Sequence, residues 1–376
     1  MPENFHIDMP EAVRNIIHTI EEHGFKAYAV GGCIRDSILG RNPDDWDITT
    51  SAVPSQIKTF FKRTVDTGIA HGTVTIMIDK TGYEVTTYRI DGEYEDGRHP
   101  KSVEFSDRLV DDLCRRDFTI NAMAYNDTDG FVDEFKGLDD LDTKIIRCVG
   151  EPELRFTEDA LRMMRAIRFS AQLGFTIDEA TWNAIKKLSP SISKISMERV
   201  HVELGKTLMS AHPDYVAEYS EAGLFAPILP VIDNALKSRY KRKILATLQH
   251  TPDNIYLRYA ALFITSTPDE AAKTLRALKL DNKTVNTVSK LVELSKMDIE
   301  ETEPAVRTAL NKYGRDFLPL WHELMMAVIQ ASEDITGISN PAKVKHLLTL
   351  KRLGTDILAR GDCSVSYTHL TLPTIL

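Results

Sequence analysis

At Gly150 the hydrophobic pattern of this chain changes period. Before it, apolar residues come in short runs bounded by turn formers. Residues 27–30 are Ala-Tyr-Ala-Val and end in Gly31-Gly32, while 74–78 and 83–89 are rich in β-branched and aromatic residues and are separated by Asp79-Lys80-Thr81-Gly82. The first reads as a buried strand running into a turn and the other two as a hairpin; residues 11–23 form an amphipathic helix through Val13, Ile16, Ile17 and Ile20. After Gly150, residues 157–173, 179–188 and 197–209 repeat their apolar positions at helical spacing, and prolines at 190, 213, 227, 230, 252 and 268 punctuate the later sequence. The pattern predicts an α+β chain, a mixed α/β head with a small β-sheet followed by an all-helical remainder.

With 376 residues, 43% hydrophobic and 27% charged, the chain has the composition of two or three globular domains and not of a disordered polymer. Its apolar runs fall well short of the ~18 residues that a membrane-spanning helix needs. The opening Met-Pro-Glu-Asn-Phe has no basic and apolar leader, so a cytoplasmic protein is expected. Cys33, Cys114, Cys148 and Cys363 share no CxxC spacing and read as buried free thiols. The formal charge of −9 gathers before Gly150, where carboxylates outnumber basic residues; after it the two nearly balance. An acidic first part suits metal binding, and Lys237-Ser238-Arg239-Tyr240-Lys241-Arg242-Lys243 leaves room for a local basic face later. Residues 365–376 lack Asp, Glu, Lys and Arg and follow charged helical sequence abruptly. Back-translated, their first six residues are compatible with a transposon-end sequencing adapter, so 363–376 is expected to be a non-native extension.

Three clusters carry chemistry. In the first, Gly31-Gly32-Cys33-Ile34-Arg35-Asp36 is followed by Asp44-Asp45-Trp46-Asp47. Two glycines after a buried strand let backbone approach a phosphate, and Arg35 offers fixed donors to its oxygens. Asp45 and Asp47, one residue apart on an extended strand, would project from one face, and like charges so held favour an intervening cation, with oxygen ligands pointing to Mg²⁺. Glu84 on the later strand either adds a third carboxylate or faces solvent. In the second, Arg115-Arg116-Asp117 precedes a helix-like run through Asn121, which would set two cationic donors near a helix N-terminus, with Asp117 as its cap and Asn121 one turn on. In the third, Asp159, Arg162, Arg165 and Arg168 recur every three residues along one helix. Such a ridge of arginines implies a facing anion. An Asp/Arg pair also has a specific reading capacity: the carboxylate accepts from an exocyclic amine and the guanidinium donates to the adjacent ring nitrogen, which admits cytosine and adenine and leaves uracil and guanine mispaired.

In this order and spacing the clusters resemble the bacterial class II tRNA nucleotidyltransferases, the CCA-adding enzymes, and their relatives the bacterial poly(A) polymerases. The resemblance runs from about residue 20 to 205 and more weakly beyond. It implies a catalytic nucleotidyltransferase head over 1–150, a nucleotide-recognising neck over 151–210, a helical body over 211–305 and a partial, truncated tail over 306–362. It implies nucleotide contacts at Gly32, Arg35 and Arg116, the catalytic metal pair at Asp45 and Asp47, and a recognition helix carrying Asp159, Arg162, Arg165 and Arg168, with Asp159 and Arg162 as the amino-acid template. Ser196-Met197-Glu198-Arg199-Val200 looks like the family's later neck motif. The implied reaction is template-independent addition of C, C and A to tRNA from CTP and ATP, with Mg²⁺ as cofactor. CC-only addition, A addition and poly(A) synthesis are the alternatives within the family, and Tyr94-Glu95-Asp96-Gly97-Arg98-His99-Pro100 looks like the flexible loop of the full CCA-adding members. A non-catalytic RNA-binding protein on the same scaffold is weakened by the intact Asp45 and Asp47, and an antibiotic-modifying nucleotidyltransferase by Asp159 with its arginine series. Oligomeric state, including a homodimer, is left open by the sequence.

Overall fold

The computed structural model describes residues 6–92 and 103–360. The loop at 94–100, Cys363 and the suspected extension at 363–376 lie outside the described residues. Chain contacts divide the protein into two compact units, the first running to Ser196 and including Ala222–Leu224, the second formed by Met197–Glu221 and the chain from Phe225 onward.

The first unit opens with α1 (Glu11–Glu22), which buries the expected Val13, Ile16, Ile17 and Ile20. Next come β1 (Ala27–Val30), α2 (Gly32–Ile38), β2 (Ile48–Thr50), α3 (Pro54–Phe60), β3 (Thr64–Gly68), β4 (Thr73–Ile78) and β5 (Thr81–Thr87). A short pair, β6 (Arg89–Asp91) and β7 (Val103–Phe105), leads to α4 (Leu109–Cys114), β8 (Ala124–Asn126), β9 (Gly130–Val132) and α5 (Gly137–Asp142). Seven strands form one sheet in the order β3-β4-β5-β2-β1-β8-β9, antiparallel except where β2 runs parallel to β5. The four residues of β1 are all buried, as a central strand requires, and Tyr28, Val30, Tyr88, Leu113, Ala122, Ala124 and Val149 share one core cluster. The β4–β5 hairpin is tighter than expected. Ile78 pairs with Thr81, and Asp79 and Lys80 turn the chain with φ of 47° and 73°, the left-handed pair that matches strand twist.

Around Gly150 this unit continues with β10 (Ile145–Ile146), just before that glycine, paired in parallel to β11 (Thr176–Ile177) after it, and with α6 (Pro152–Glu158), α7 (Leu161–Leu173) and α8 (Glu179–Leu188). That pairing, and Phe118 set edge-on to Phe169 with ring centroids 5.7 Å apart, explains why contacts divide at Ser196 and not at Gly150. The expected helix over 157–173 is two helices. Asp159 leaves helical backbone, at φ −145° and ψ 104°, and its Oδ1 accepts from the Leu161 N–H at 3.0 Å. A short polar side chain that satisfies a helix's first amide ends the preceding helix more favourably than it continues it.

The second unit is helical from α9 (Met197–Leu208) through α10 (Val216–Glu221), α11 (Pro230–Lys237), α12 (Lys241–His250), α13 (Ile255–Leu262), α14 (Pro268–Ala277), α15 (Asn282–Leu294), α16 (Glu303–Tyr313), α17 (Phe317–Thr336) and α18 (Pro341–Ala359). The prolines act as starts: Pro230, Pro268 and Pro341 open their helices, and Thr267 completes a capping box with Glu270. The basic segment at 237–243 is partly neutralised locally. Lys237 pairs with Asp233 at 2.9 Å and Lys241 with Glu221 at 2.7 Å. Among the described residues no helix is long and apolar enough to cross a membrane. Cys33 and Cys148 are free and buried, and burial pushes both thiols up to about 12; Cys114 is free and exposed, contrary to expectation.

Candidate active site

The candidate site assembles within the first unit, where β1 runs out into α2. Gly31 has φ +86°, a conformation that side-chain-bearing residues rarely adopt, and a Cβ there would sit 2.9 Å from Arg116 Nη1. The close approach therefore belongs to Gly31. Gly32 is the first residue of α2, and a Cβ on it would meet Arg35 Nη2 at an ordinary 3.6 Å.

Asp45 and Asp47 do not lie on a strand. They sit on the run into β2, both solvent-exposed, and the Asp47 carbonyl accepts from the Val30 N–H at 3.0 Å, which ties the run to β1. Ile48 pairs with Val85, so continuing the parallel register by one residue sets Asp47 beside Glu84. The electrostatics agree. Asp47 is raised by partial desolvation against the opposing pull of Arg116, with Asp45 raising it further; Glu84 is raised by desolvation and by the charges of Asp47 and Asp45. The three carboxylates thus sense one another. Even so, among the described residues no three His, Cys, Asp or Glu side chains converge closely enough to hold one metal ion, so Glu84 stands beside the aspartate pair without completing a three-ligand set.

Arg115 and Arg116 follow α4 at its C-terminal end, not ahead of a helix. Asp111 and Asp112 occupy the first turn of α4, so acids and bases both follow the helix dipole. Asp112 is fully buried. Its Oδ1 accepts from Arg115 Nε and Nη2 at 2.9 and 2.5 Å and its Oδ2 from Arg116 Nη2 at 3.1 Å. Burial disfavours its charge, but Arg115 and Arg116 more than reverse this and hold the carboxyl below its ordinary range. The Nε of Arg116 is buried and without a partner. After Asp117 comes a single turn of 3₁₀ helix, Thr119–Asn121, and then β8; the expected helix and its Asp117 cap are absent.

Asp117 is instead a hub. One oxygen accepts from the Phe118 N–H at 2.9 Å and from Asn121 Nδ2 at 3.1 Å, the other from Arg165 at 2.7 Å. Burial opposes its charge, yet Arg165 and the Asn121 amide hold it far below the usual carboxylate range. Asn121 in turn accepts through Oδ1 from Arg35 Nη1 at 2.6 Å, and Arg35 also grips Asp36 through Nε and Nη2 at 2.9 and 2.8 Å. Arg35, Asn121, Asp117 and Arg165 therefore form one continuous chain of bonds.

With Asp159 outside α7, the four-residue ridge reduces to three arginines with three different surroundings. Arg162 donates to Glu158 at 2.5 Å and to the carbonyls of Arg155 and Arg115 at 3.1 and 3.0 Å. Arg165 meets Asp117, and Arg168 donates to Gln172 at 2.8 Å. The guanidinium carbons of Arg35, Arg165 and Arg168 lie 5.0, 5.2 and 3.8 Å from the centre of the Phe169 ring, so one buried phenyl ring attracts three cations. Sequence reasoning passed over Asp112, Glu158 and Phe169 as parts of the site. The i,i+3 and i,i+4 spacing of Asp112 to the arginine pair was a usable signal; nothing local marks Phe169.

Family models described as "Poly A polymerase head domain" and "Probable RNA and SrmB- binding site of polymerase A" match residues 27–147 and 174–236. A CCA-adding enzyme of Streptococcus suis is 38% identical over 93% of this chain and 84% of its own length. The chain belongs to the CCA-adding enzyme family. A family member from Limosilactobacillus reuteri is 49% identical over 60% of this chain, and the first curated relatives are matched over only about half their own length, 56% in this case. The crystal structure of the Bacillus stearothermophilus CCA-adding enzyme in complex with CTP superposes with a TM-score of 0.71 at 32% identity, covering 93% of this chain and 82% of that one. Nucleotidyltransferases of this family use a divalent metal, and a hard cation suits the all-oxygen pair Asp45 and Asp47, whose mutual repulsion a cation relieves.

Proposed function

We propose that this protein adds C, C and A in turn to the 3′ end of tRNA, using CTP and ATP, releasing pyrophosphate and acting in the cytoplasm. The observation that carries this reading is the grouping of Asp47, Asp45 and Glu84 beside Arg116 at the Gly31 turn, in the same compact unit as Asp159 and Arg162. A binding module has no need of repelling carboxylates next to a phosphate site.

In the reaction the tRNA 3′-hydroxyl attacks the α-phosphorus, a new phosphodiester forms, and the bond to the β-phosphate breaks. Asp45 and Asp47 would hold Mg²⁺, which when bound eases loss of the hydroxyl proton and offsets charge on the departing pyrophosphate. The chain's own residues supply orientation. Arg116, with a buried and unsatisfied Nε, faces the triphosphate, and the Gly31 turn leaves room for it. Arg35 and Asn121 hold each other at the mouth of α2, ready for ribose and phosphate oxygens. Asp159 accepts from the exocyclic amine of cytosine or adenine while Arg162 donates to the adjacent ring nitrogen; uracil and guanine present the opposite polarity to both. The base must compete with Glu158 and two carbonyls for Arg162, which makes a mispaired base doubly unfavourable.

The test is incorporation by purified protein with Mg²⁺ and tRNA lacking its 3′ CCA, resolved at single-nucleotide length. Two additions with CTP alone and three with CTP and ATP are expected, with none from UTP or GTP. A stop at two with both nucleotides would assign CC addition, an open-ended A ladder would assign poly(A) synthesis, and no product would overturn the enzymatic reading.

A further inference from the structure

Asp112 is the one fully buried carboxylate in the first unit among the described residues, and it meets the proposed nucleotide site through the arginine pair that follows it. Its two oxygens are divided between two neighbours. Oδ1 is filled by Arg115 through two bonds, which leaves Oδ2 to Arg116 Nη2 at 3.1 Å. That single bond engages one corner of the Arg116 guanidinium. The opposite nitrogen, Nη1, lies over Gly31, where the missing side chain makes room for it, and Nε is buried without a partner. A guanidinium pinned at one corner, with a buried donor unsatisfied and its charge felt by Asp47, is held for a ligand that the fold itself does not supply. We propose that Asp112 is a positioning residue for the incoming nucleotide: it fixes the Arg116 guanidinium so that its remaining donors face the triphosphate. The inference rests on the reading of Arg116 as a triphosphate contact. It further implies that Asp112 acts on the phosphates and not on the base, so CTP and ATP are affected alike.

The experiment is calorimetric titration of the intact chain, in Mg²⁺, with CTP, ATP and inorganic tripolyphosphate. The proteins are wild type, Asp112→Asn, Arg116→Lys and the double variant. Asp112→Asn keeps the shape of the side chain and removes its charge. It should weaken all three ligands by a common factor of about tenfold, the scale seen when outer partners of ligand-binding groups are removed. Because Asp112 acts through Arg116, the double variant should bind no worse than Arg116→Lys alone. In the incorporation assay Asp112→Asn should raise KM for CTP and ATP together, with KM for tRNA and the rejection of UTP and GTP unchanged. A general loss of structure would not give that split. If melting shows Asp112→Asn to be unfolded, Asp112→Asn with Arg115→Gln removes the excess buried positive charge and should show the same common factor. Additive losses in the double variant, wild-type affinity in Asp112→Asn, or weakened CTP with unchanged tripolyphosphate would each overturn the proposal. A wild-type protein that binds tripolyphosphate but extends no tRNA would instead overturn the CCA-adding reading, and the binding comparison would still decide the role of Asp112.

Discussion

Arg162 is held by Glu158 and by two carbonyls, one of them that of Arg115. The guanidinium proposed to read the base is thus braced by residues on both sides of Gly150. Arg162→Ala should leave Asp159 in place but remove the donor for the ring nitrogen, lowering the preference for CTP over UTP by on the order of a hundredfold or more, since a site built to hydrogen-bond loses most discrimination when one partner goes. Competition between CTP and UTP on a trimmed tRNA reads this directly, and an unchanged ratio would remove Arg162 from base selection. At Gly31 the constraint is geometric. Gly31→Ala forces a side chain into the left-handed region and to 2.9 Å from Arg116 Nη1, so denaturant unfolding should show a loss of about 1–2 kcal/mol, with weaker nucleotide binding as Arg116 is displaced. Residues of this kind were partly legible in the sequence. Asp45, Asp47, Arg116 and Asn121 stood out because charge and spacing are local properties. Asp112 and Phe169 did not, because an acid that serves two arginines and a ring that gathers three look, in one dimension, like a helix residue and a core residue.

Helix polarity was the least legible property at the level of elements. The residues flanking Arg115-Arg116 show helical character on both sides, and only the tertiary fold decides that α4 ends there while the following run closes into one 3₁₀ turn and β8. The break between α6 and α7 was hidden for a related reason: apolar spacing continues through it, and a single capping side chain interrupts the backbone without disturbing the periodicity. The strand at 27–30, the first helix and the hairpin were readable because their burial patterns are clean. α5 shows how tightly these elements are fitted. A Cβ on Gly137 would lie 2.3 Å from the Thr119 carbonyl oxygen, a backbone atom of the 3₁₀ turn that cannot swing aside. Gly137→Ala should therefore cost about 1–3 kcal/mol, as overpacking does, and loosen the turn that carries Asn121. Equilibrium unfolding measures the first effect, and a variant as stable as wild type would mean that α5 shifts without penalty.

Across the whole molecule, pH should act on the two units in opposite directions. Asp112 and Asp117, in the first, are held below their ordinary range, so their contribution is fully present above the unfolded carboxylate value near 4 and is lost as pH falls through their folded values. Glu218, in the second, is pushed up to about 7 by burial and by Glu221 and Asp214. The folded state then holds that proton more tightly than the unfolded one, so stability is full below about pH 4.5 and declines as pH rises through 7. Melting of the second unit should come a few degrees lower at pH 8 than at pH 6, roughly the response to 1 kcal/mol in a unit of this size. Glu218→Gln should flatten that slope while leaving the acid limb of the first unit intact; an unchanged slope would assign it to another group. The α+β class was evident from the change of hydrophobic period, whereas the partition of the chain was not, because the link that decides it is only two residues long on each side. β10 and β11 join across Gly150, and Arg162 and Arg165 reach back to Arg115 and Asp117. A chimaera joined at Gly150 would part Asp159 and Arg162, the proposed readers of the base, from Asp45 and Asp47, the proposed metal pair, whereas one joined at Ser196 would pass both on together as one block.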